Sequence, residues 1–227
     1  MDRINVLVDA TAAGVPQLKD LPPIREPRLP PNPLPVSDNG EPLERLTEEI
    51  KSVPVYALEQ WPGAVEDVYL RAEVNARLRH AQADLPPGFG FVVLDGWRSP
   101  RLQKALYEHY YVDSGLPLGY VADPDDPLLS PPHSTGGAVD LTLTWDRHPL
   151  RLGTDFDAFV DDAHLTALEQ SIGREPERSL RRLLTHALSN VGFCPFPLEW
   201  WHFSYGDQVW AFNNDRAEAL YGFIPNV

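Results

Sequence analysis

Residues 138–144 (AVDLTLT) alternate along the chain, and this stretch constrains the fold more than any other part of the 227-residue sequence. A period of two is that of a β-strand, whose successive side chains point to opposite faces. Its three aliphatic residues would face a core, and Asp140 would stand on the polar face beside two threonines. Gly136 and Gly137 precede the strand and permit a sharp turn there. The sequence therefore predicts a strand that carries an acidic side chain near its start.

Further elements follow from periodicity, capping residues and turn residues. Ser99 and Pro100 mark a helix start, because serine caps a helix N-terminus and proline suits its first position. Gly192 follows an amphipathic stretch and suits a helix end. The predicted strands are residues 89–95, 138–144 and about 200–205, and the predicted helices are residues 63–83, 100–111, 175–190 and 214–223. Because strands and helices do not alternate regularly, we expect a single α+β domain with a small antiparallel sheet flanked by helices.

Proline is concentrated early in the chain. The sequence holds 24 prolines, about twice the usual share of ~5%, and many of them lie between residues 21 and 42. That segment lacks helical or strand periodicity, but it is too apolar for a wholly disordered tail. We therefore predict a proline-rich N-terminal arm at residues 1–45, which packs on the domain or extends from it, and one folded domain at residues 46–227.

The formal charge of −14 and the pI of about 4.8 argue against several classes of partner. A negative field repels nucleic-acid phosphates and anionic lipids, so we expect neither nucleic acid nor a membrane as a partner. Cys194 is the single cysteine, so no disulfide forms within the chain. The first residues are too acidic for a secretory signal, and no apolar run approaches the ~20 residues of a membrane span. These features predict a cytoplasmic protein and leave its oligomeric state open.

The segment SPPHSTGGAVD, residues 130–140, has the pattern of half a metal site. It places His133 seven residues before Asp140, and the two glycines between them let the histidine turn back beside the strand. A third ligand is expected in PLEWWHFSY, where Glu199 precedes His202 by three residues. Two imidazoles and one carboxylate leave a fourth zinc position open, which is typical of a catalytic site.

Two residues near these ligands favour hydrolysis. Zinc lowers the pKa of a bound water to ~7, and Glu199 would activate that water and pass its proton to a leaving amine. We expect Glu199 in the loop that enters the last strand, because residues three apart in a strand point to opposite faces. Arg98 follows the strand that ends at Asp95 and would stabilise an oxyanion. Two alternatives stay open: Glu199 orients a metal ligand, and Arg98 forms a structural ion pair with Asp95.

Four motifs, DGWRSPR, HSTGGAVDLTL, LGTDFDAF and LEWWHF, occur in this order within residues 65–203. With them the chain resembles the D-alanyl-D-alanine dipeptidases of the vancomycin-resistance type, in the zinc DD-peptidase superfamily that shares its fold with hedgehog-type domains. The family pattern S-x-H-x-x-G-x-A-x-D is met at His133, Gly136, Ala138 and Asp140, and its E-W-W-H element at residues 199–202. Agreement of several motifs in order makes a chance similarity a poor explanation.

The resemblance implies a metallopeptidase domain with one zinc ion per chain. The implied roles are zinc ligands at His133, Asp140 and His202, general base at Glu199, oxyanion stabiliser at Arg98, and a site for the substrate ammonium at Asp157. A carboxylate that pairs with that ammonium would select dipeptides over longer or blocked peptides. The implied reaction is hydrolysis of D-alanyl-D-alanine or a similar small D-amino-acid dipeptide, in turnover of peptidoglycan precursors or fragments.

One departure from the family pattern concerns the substrate carboxylate. The family serine two residues before the metal histidine helps hold that carboxylate, but this chain has Pro131 there, which offers no donor. Ser130 and Ser134 stand nearby as replacements. Asp157 would also suit the first turn of a helix, where the helix dipole favours a carboxylate.

Other functions stay open from the residues alone. A DD- or LD-carboxypeptidase that trims longer peptidoglycan peptides would use the same zinc site. A non-catalytic zinc-binding module, as hedgehog-type domains can be, would not need Glu199 and Arg98 together. An iron oxygenase with two histidines and one carboxylate would need a pocket for an oxidisable substrate, and no residue pattern points to one.

Overall fold

Within residues 5–226, the part of the chain that the computed structural model describes, nine strands and five α-helices surround one main hydrophobic core. The strands are β1 (Val8–Asp9), β2 (Leu43–Arg45), β3 (Lys51–Ser52), β4 (Tyr69–Arg71), β5 (Phe89–Asp95), β6 (Ala138–Trp145), β7 (His148–Arg151), β8 (Cys194–Phe196) and β9 (Glu199–Ser204). The helices are α1 (Val55–Leu58), α2 (Ala72–Ala83), α3 (Pro100–Tyr107), α4 (Glu175–Asn190) and α5 (Gln208–Asn213). The predicted α+β class is confirmed.

Strand β6 is the central strand of the larger sheet. It pairs antiparallel with β5 on one side, while β9 and β7 share its other side, β9 beside its first residues and β7 beside its last. β8 extends this sheet beyond β9, and the short strands β3 and β1 run parallel to β5 and β7. β2 and β4 form a separate antiparallel pair. The start of β6 therefore lies between β5 and β9, where side chains from three strands can meet.

Both faces of β6 are buried, whereas the sequence pattern predicted one buried face and one polar face. Val139 and Leu141 have no exposed surface, and Asp140 and Thr142, on the opposite face, are only 1% and 0% exposed. The Thr142 hydroxyl donates to the carbonyl of Leu150 at 2.7 Å. Because a buried carboxylate is costly without partners, Asp140 needs charged or hydrogen-bonding neighbours.

Helix α3 starts as its capping residues predict. The Ser99 hydroxyl accepts a hydrogen bond from the Leu102 backbone N–H at 3.1 Å, and Pro100 is the first helical residue. The helix continues into a π-helical turn over Glu108–Asp113. This start fixes the direction in which the chain leaves β5 and so places Arg98 at the end of that strand.

Helix α4 has the predicted bounds. Leu180, Leu184 and Leu188 recur every four residues and are fully buried, which is the pattern of a helix face packed on a core. Gly192 follows its end with φ 93°, a left-handed conformation that suits glycine.

The predicted helix at residues 63–83 is wrong over its first half. Residues Tyr69–Arg71 form β4, which pairs with β2, and the helix begins at Ala72. Val68, which belongs to the predicted helical spacing, is a core residue beside Gly96, where no Cβ would fit. Pairing with a distant strand overrode the local pattern.

The predicted helix at residues 214–223 is also wrong. The last helix is α5, which the Asp207 side chain caps by accepting from the Trp210 backbone N–H at 2.7 Å. Residues 214–226 are not helical, and Ala219 bridges to Val36 of the N-terminal arm. Backbone pairing with the arm replaces the helical hydrogen bonds that the pattern predicted.

No helix in the described part of the chain combines the length and the hydrophobicity that crossing a bilayer requires.

Candidate metal centre and substrate cavity

Three donor atoms converge at the start of β6. His133 Nε2 lies 3.1 Å from His202 Nδ1 and 3.3 Å from Asp140 Oδ1, and the last two atoms are 3.0 Å apart. All three residues are buried and could share one metal ion. A tetrahedral zinc site with metal–ligand distances of about 2.0–2.1 Å separates its ligand atoms by about 3.3 Å. The triangle of donors therefore fits a tetrahedral divalent cation.

The sheet and a glycine turn bring these donors together. Asp140 and His202 are direct partners across the β6–β9 pair, so their side chains share one face. His133 lies in a short 3₁₀ turn that ends at Gly136, whose φ is 74°. A Cβ on Gly136 would require the Leu43 side chain to move, and a residue larger than glycine would be strained at this φ. His133 therefore lies beside the start of the strand that carries Asp140, as the sequence predicts.

Hydrogen bonds on the far side of each imidazole orient its lone pair. His133 Nδ1 lies 2.8 Å from the Gly96 carbonyl, which can only accept, so Nδ1 carries the proton and Nε2 presents a lone pair. His202 Nε2 lies 3.3 Å from Ser204 Oγ, which can accept the ring proton and leave Nδ1 free to bind. Three electron-rich atoms facing one another at 3.0–3.3 Å require a cation or a shared proton between them.

Asp140 stays ionised in this setting. Burial alone would raise its pKa, but His133 and His202 beside it hold that pKa well below its ordinary range. A carboxylate and two imidazole nitrogens are a donor set that zinc accepts.

A buried arginine fixes the turn that carries His133. The Arg71 Nε donates to the Thr135 carbonyl at 2.7 Å. Its guanidinium also reaches Asp38 Oδ2 at 2.6 Å and the Gly222 carbonyl at 3.1 Å, and it donates to the Glu41 carbonyl. Arg71 therefore joins the turn to the N-terminal arm and to the C-terminal segment.

Glu199 lies beside the donor triangle. It is the first residue of β9 rather than part of the preceding loop, so the expected loop position is wrong. An irregularity in the partner strand, between Pro195 and Phe196, breaks the strict alternation there. Glu199 Oε2 is consequently 3.8 Å from His202 Nδ1.

The protonation of Glu199 depends on its buried surroundings. Burial raises its pKa well above the ordinary value, Asp140 and Asp157 raise it further, and Arg98 lowers it. A carboxylate with a raised pKa is a stronger base than an exposed one.

Arg98 makes contacts that fit both of its interpretations. Its Nε donates to Asp95 Oδ2 at 2.5 Å, and its Nη2 donates to Asp140 Oδ2 at 3.1 Å and to the Tyr56 hydroxyl at 3.3 Å. Burial alone would lower its pKa, but Tyr56 and these carboxylates raise it well above the ordinary value. Arg98 is thus a fixed cation that also lines the substrate cavity.

Asp157 lies in a turn, not in a helix, so its alternative role at a helix N-terminus does not apply. Its φ is 56°, a left-handed conformation that aspartate tolerates better than most residues. The hydroxyls of Tyr56 and Tyr110 both donate to its Oδ2, at 2.7 and 3.1 Å. The sequence analysis missed both tyrosines, because no motif or spacing connects them with residue 157.

A further buried arginine, Arg181, holds the segment around Asp157. Its Nε, Nη1 and Nη2 donate to the carbonyls of Leu152, His164 and Asp162 at 2.7, 2.8 and 2.6 Å, respectively. α4 therefore secures both ends of the segment that presents Asp157.

A cavity of about 450 Å³ borders the donor triangle at His133 and His202. Its lining includes the predicted site residues and both tyrosines: Tyr56, Arg98, Tyr110, His133, Asp157, Glu199 and His202. Asp140 is not part of this lining. Ser130 also lines the cavity, whereas Ser134 is fully buried and Pro131 is not part of the lining.

The family model described as D-ala-D-ala dipeptidase, of peptidase family M15, matches residues 65–219, which is more than half of the chain. The chain is 31% identical over 236 residues to a D-alanyl-D-alanine dipeptidase of Synechocystis sp., a match that covers 84% of this chain and 95% of the relative. It is also similar to the D-alanyl-D-alanine dipeptidases of Enterococcus faecium, at 30% identity over 53% of this chain and 64% of the relative, and of Escherichia coli, at 33% identity over 45% and 54%.

Proposed function

Because the chain belongs to the M15 family of D-alanyl-D-alanine dipeptidases and is a metallopeptidase, we propose that it hydrolyses D-alanyl-D-alanine, or a similar small D-amino-acid dipeptide, with one zinc ion. His133, Asp140 and His202 would hold the ion. The observation that supports this most is the donor triangle with edges of 3.0–3.3 Å, which opens into the cavity that also contains Glu199 and Arg98.

Zinc bound there would polarise the scissile carbonyl and make water acidic enough to react near neutral pH. Glu199 takes the proton of the attacking water and delivers it to the nitrogen of the leaving amine. Its raised pKa suits both steps, since a stronger base accepts the first proton more readily and remains a competent acid afterwards.

Arg98 stabilises the negative charge that develops on the carbonyl oxygen. Its hydrogen bonds to Asp95 and Asp140 hold the guanidinium in place before substrate binds, so little reorganisation is needed during the reaction. In this proposal the ion pair with Asp95 positions Arg98 for catalysis, so the structural and the catalytic roles of Arg98 are compatible.

Asp157 binds the free ammonium of the dipeptide. Two tyrosine hydroxyls, from Tyr56 and Tyr110, fix the carboxylate and keep the position of its charge defined. A blocked amine carries no positive charge to pair with this carboxylate, which disfavours acetylated dipeptides and longer peptides.

The test is an assay of the metal-free chain reconstituted with zinc, on L,L, L,D and D,D dipeptides and on N-acetyl-D-alanyl-D-alanine. We expect turnover of D-alanyl-D-alanine and almost none of the acetylated substrate, with metal content measured in each sample. A carboxypeptidase would cleave the acetylated substrate, and a chain that hydrolyses no dipeptide in the panel would be a binding module instead.

Glu199→Gln separates the metal from the chemistry. The amide keeps the shape of the side chain but cannot take a proton, so kcat should fall by about 10²–10⁴-fold. Bound zinc, measured by atomic emission, should stay at the wild-type ratio. Loss of metal together with activity would instead place Glu199 among the residues that organise the ligands.

A further inference from the structure

Two prolines of the N-terminal arm belong to the substrate cavity. Pro30 and Pro33 line it together with His133 and Glu199, although more than 90 residues separate them from either in the chain. The arm is thus part of the substrate site as well as a covering of the domain.

The short span that contains these prolines is anchored at both ends on α5. On one side, the backbone of Arg28 exchanges two hydrogen bonds with the Asn213 side chain, at 3.0 and 2.8 Å, and its guanidinium lies over the Phe212 ring. On the other side, the Leu34 carbonyl accepts from Gln208 Nε2 at 2.6 Å, and the Leu34 side chain joins a small apolar cluster that includes Trp210. The span between the two anchors cannot leave the cavity without breaking one of them.

The span is also stiff. Four of the six residues 30–35 are proline, each with φ fixed near −65°. Proline-rich chain of this kind behaves as a semi-rigid spacer. A stiff segment fixed at both ends forms a wall rather than a mobile flap.

Gln208 connects this wall to the loop that precedes the metal turn. Its Nε2 also donates to the Leu128 carbonyl at 2.9 Å, and its Oε1 accepts from the Ser130 backbone N–H at 3.0 Å. Gln208 itself is 6% exposed and lines the cavity. The arm, α5 and the loop before His133 therefore form one side of the cavity.

The residues that hold Asp157 belong to other parts of the molecule. Tyr56 lies in α1 and Tyr110 in the turn after α3, and both contact Asp157 directly. The wall is held by α5 and by the loop at residues 128–130 instead. The proposed function puts the substrate ammonium at Asp157 and the scissile carbonyl at the metal, so the part of the lining that is held separately from Asp157 is available to the residue beyond the scissile bond.

We propose that residues 30–33 form a fixed wall against the carboxyl-terminal residue of the substrate and thereby limit the enzyme to dipeptides. This inference rests on the proposed dipeptidase function. It assigns to the arm the exclusion of substrates extended at their carboxyl end, while Asp157 excludes those extended or blocked at their amine.

The test compares the double variant Pro30→Gly/Pro33→Gly with the matched control Pro22→Gly/Pro23→Gly. Both variants replace two prolines of the same arm, but Pro22 contacts His186 through its carbonyl, and neither control position lines the cavity. The substrates are D-alanyl-D-alanine, the tripeptide D-alanyl-D-alanyl-D-alanine, which keeps a free amine, and N-acetyl-D-alanyl-D-alanine. Thermal unfolding of each variant checks that it folds.

We expect the ratio of kcat/KM for the tripeptide to kcat/KM for the dipeptide to rise at least tenfold in Pro30→Gly/Pro33→Gly and to stay at the wild-type value in the control. The acetylated substrate should remain poor in both. An unchanged ratio in a folded variant, or a gain on the acetylated substrate instead of the tripeptide, would overturn the proposal.

A wild-type chain that does not hydrolyse D-alanyl-D-alanine would refute the proposed function but not by itself the wall. Titration calorimetry of the tripeptide on the zinc-loaded variants then gives the answer without turnover. Binding at least tenfold tighter in Pro30→Gly/Pro33→Gly than in the control supports the wall, and equal binding rejects it.

Discussion

The proposed catalytic cavity has two ends, a proposed metal end and a proposed ammonium end, and they are built in different ways. At the metal end, formed by His133, Asp140 and His202, two donors are paired across neighbouring strands, and the third lies in a turn held by Arg71, whose Nε donates to the Thr135 carbonyl. At the ammonium end, formed by Asp157 with Tyr56 and Tyr110, a carboxylate in a turn is oriented by side-chain hydroxyls.

Because the two ends are held differently, substitutions at each end should affect different properties of the protein. Strand register positions two of the three metal donors, so substitutions at the other end of the cavity should leave these two donors in place. Side chains from separate elements define the ammonium end, so one substitution can alter substrate selection there. We therefore expect metal affinity and amine selectivity to respond to different substitutions.

The largest effect should come from His202→Ala at the metal end. Loss of one of three donors should remove bound zinc and lower kcat/KM for D-alanyl-D-alanine by at least about 10³-fold, because the ion supplies the main polarisation of the carbonyl. Metal content after dialysis gives the direct measurement. His164→Ala is the matched control, since that ring contacts the Tyr120 hydroxyl and not the donor triangle. Zinc retained in His202→Ala would contradict the assignment.

Asp157→Asn should give the next largest effect and should leave the metal bound. Removing the charge that faces the substrate ammonium should lower kcat/KM for the dipeptide by about 10²-fold. The discrimination against N-acetyl-D-alanyl-D-alanine should shrink at the same time. If zinc content fell along with kcat/KM, the two ends would not be independent.

Ser204→Ala should weaken the metal end without affecting selectivity. Losing the hydroxyl beside His202 Nε2 removes the group that fixes the ring proton, and zinc affinity measured by chelator competition should fall by about 10-fold. At saturating zinc, the preference for a free amine should match that of the wild type. A changed preference would mean that Ser204 contacts the substrate.

Tyr110→Phe should give the smallest effect, at the ammonium end alone. It removes one of two hydroxyls on Asp157 Oδ2, and the loss of one hydrogen bond should raise KM for the dipeptide by about 3–10-fold. Zinc affinity should be unchanged. An effect confined to kcat would argue that Tyr110 acts on the reacting atoms instead.

Local signals explain why much of the fold was predictable from the sequence. The alternation of β6, the serine cap and proline of α3 and the leucine spacing of α4 are properties of neighbouring residues, and the structure has these elements where the patterns place them. The errors at residues 63–71 and 214–223 arise where the chain pairs with β2 or with the arm, because such pairing is decided by residues far away in sequence.

The candidate site divides in the same way. Short motifs contain His133 with Asp140 and Glu199 with His202, so their proximity follows from a turn and one strand pair. Tyr56, Tyr110 and the prolines of the arm reach the cavity from separate segments through tertiary packing. No spacing in the sequence relates them to the ligands, and only the folded chain brings them together.

Arg71 connects the N-terminal arm and the segment after α5 to the turn that carries His133, a proposed zinc ligand. Its guanidinium contacts Asp38 and Glu41, which precede the domain boundary that we propose near residue 45, and Gly222, which follows α5. Its Nε donates to the Thr135 carbonyl in the turn that carries His133. Deleting the residues before that boundary would leave the buried Arg71 guanidinium without the Asp38 carboxylate that pairs with it. Such a shortened protein should lose zinc to a chelator faster than the intact one, even though every ligand is still present.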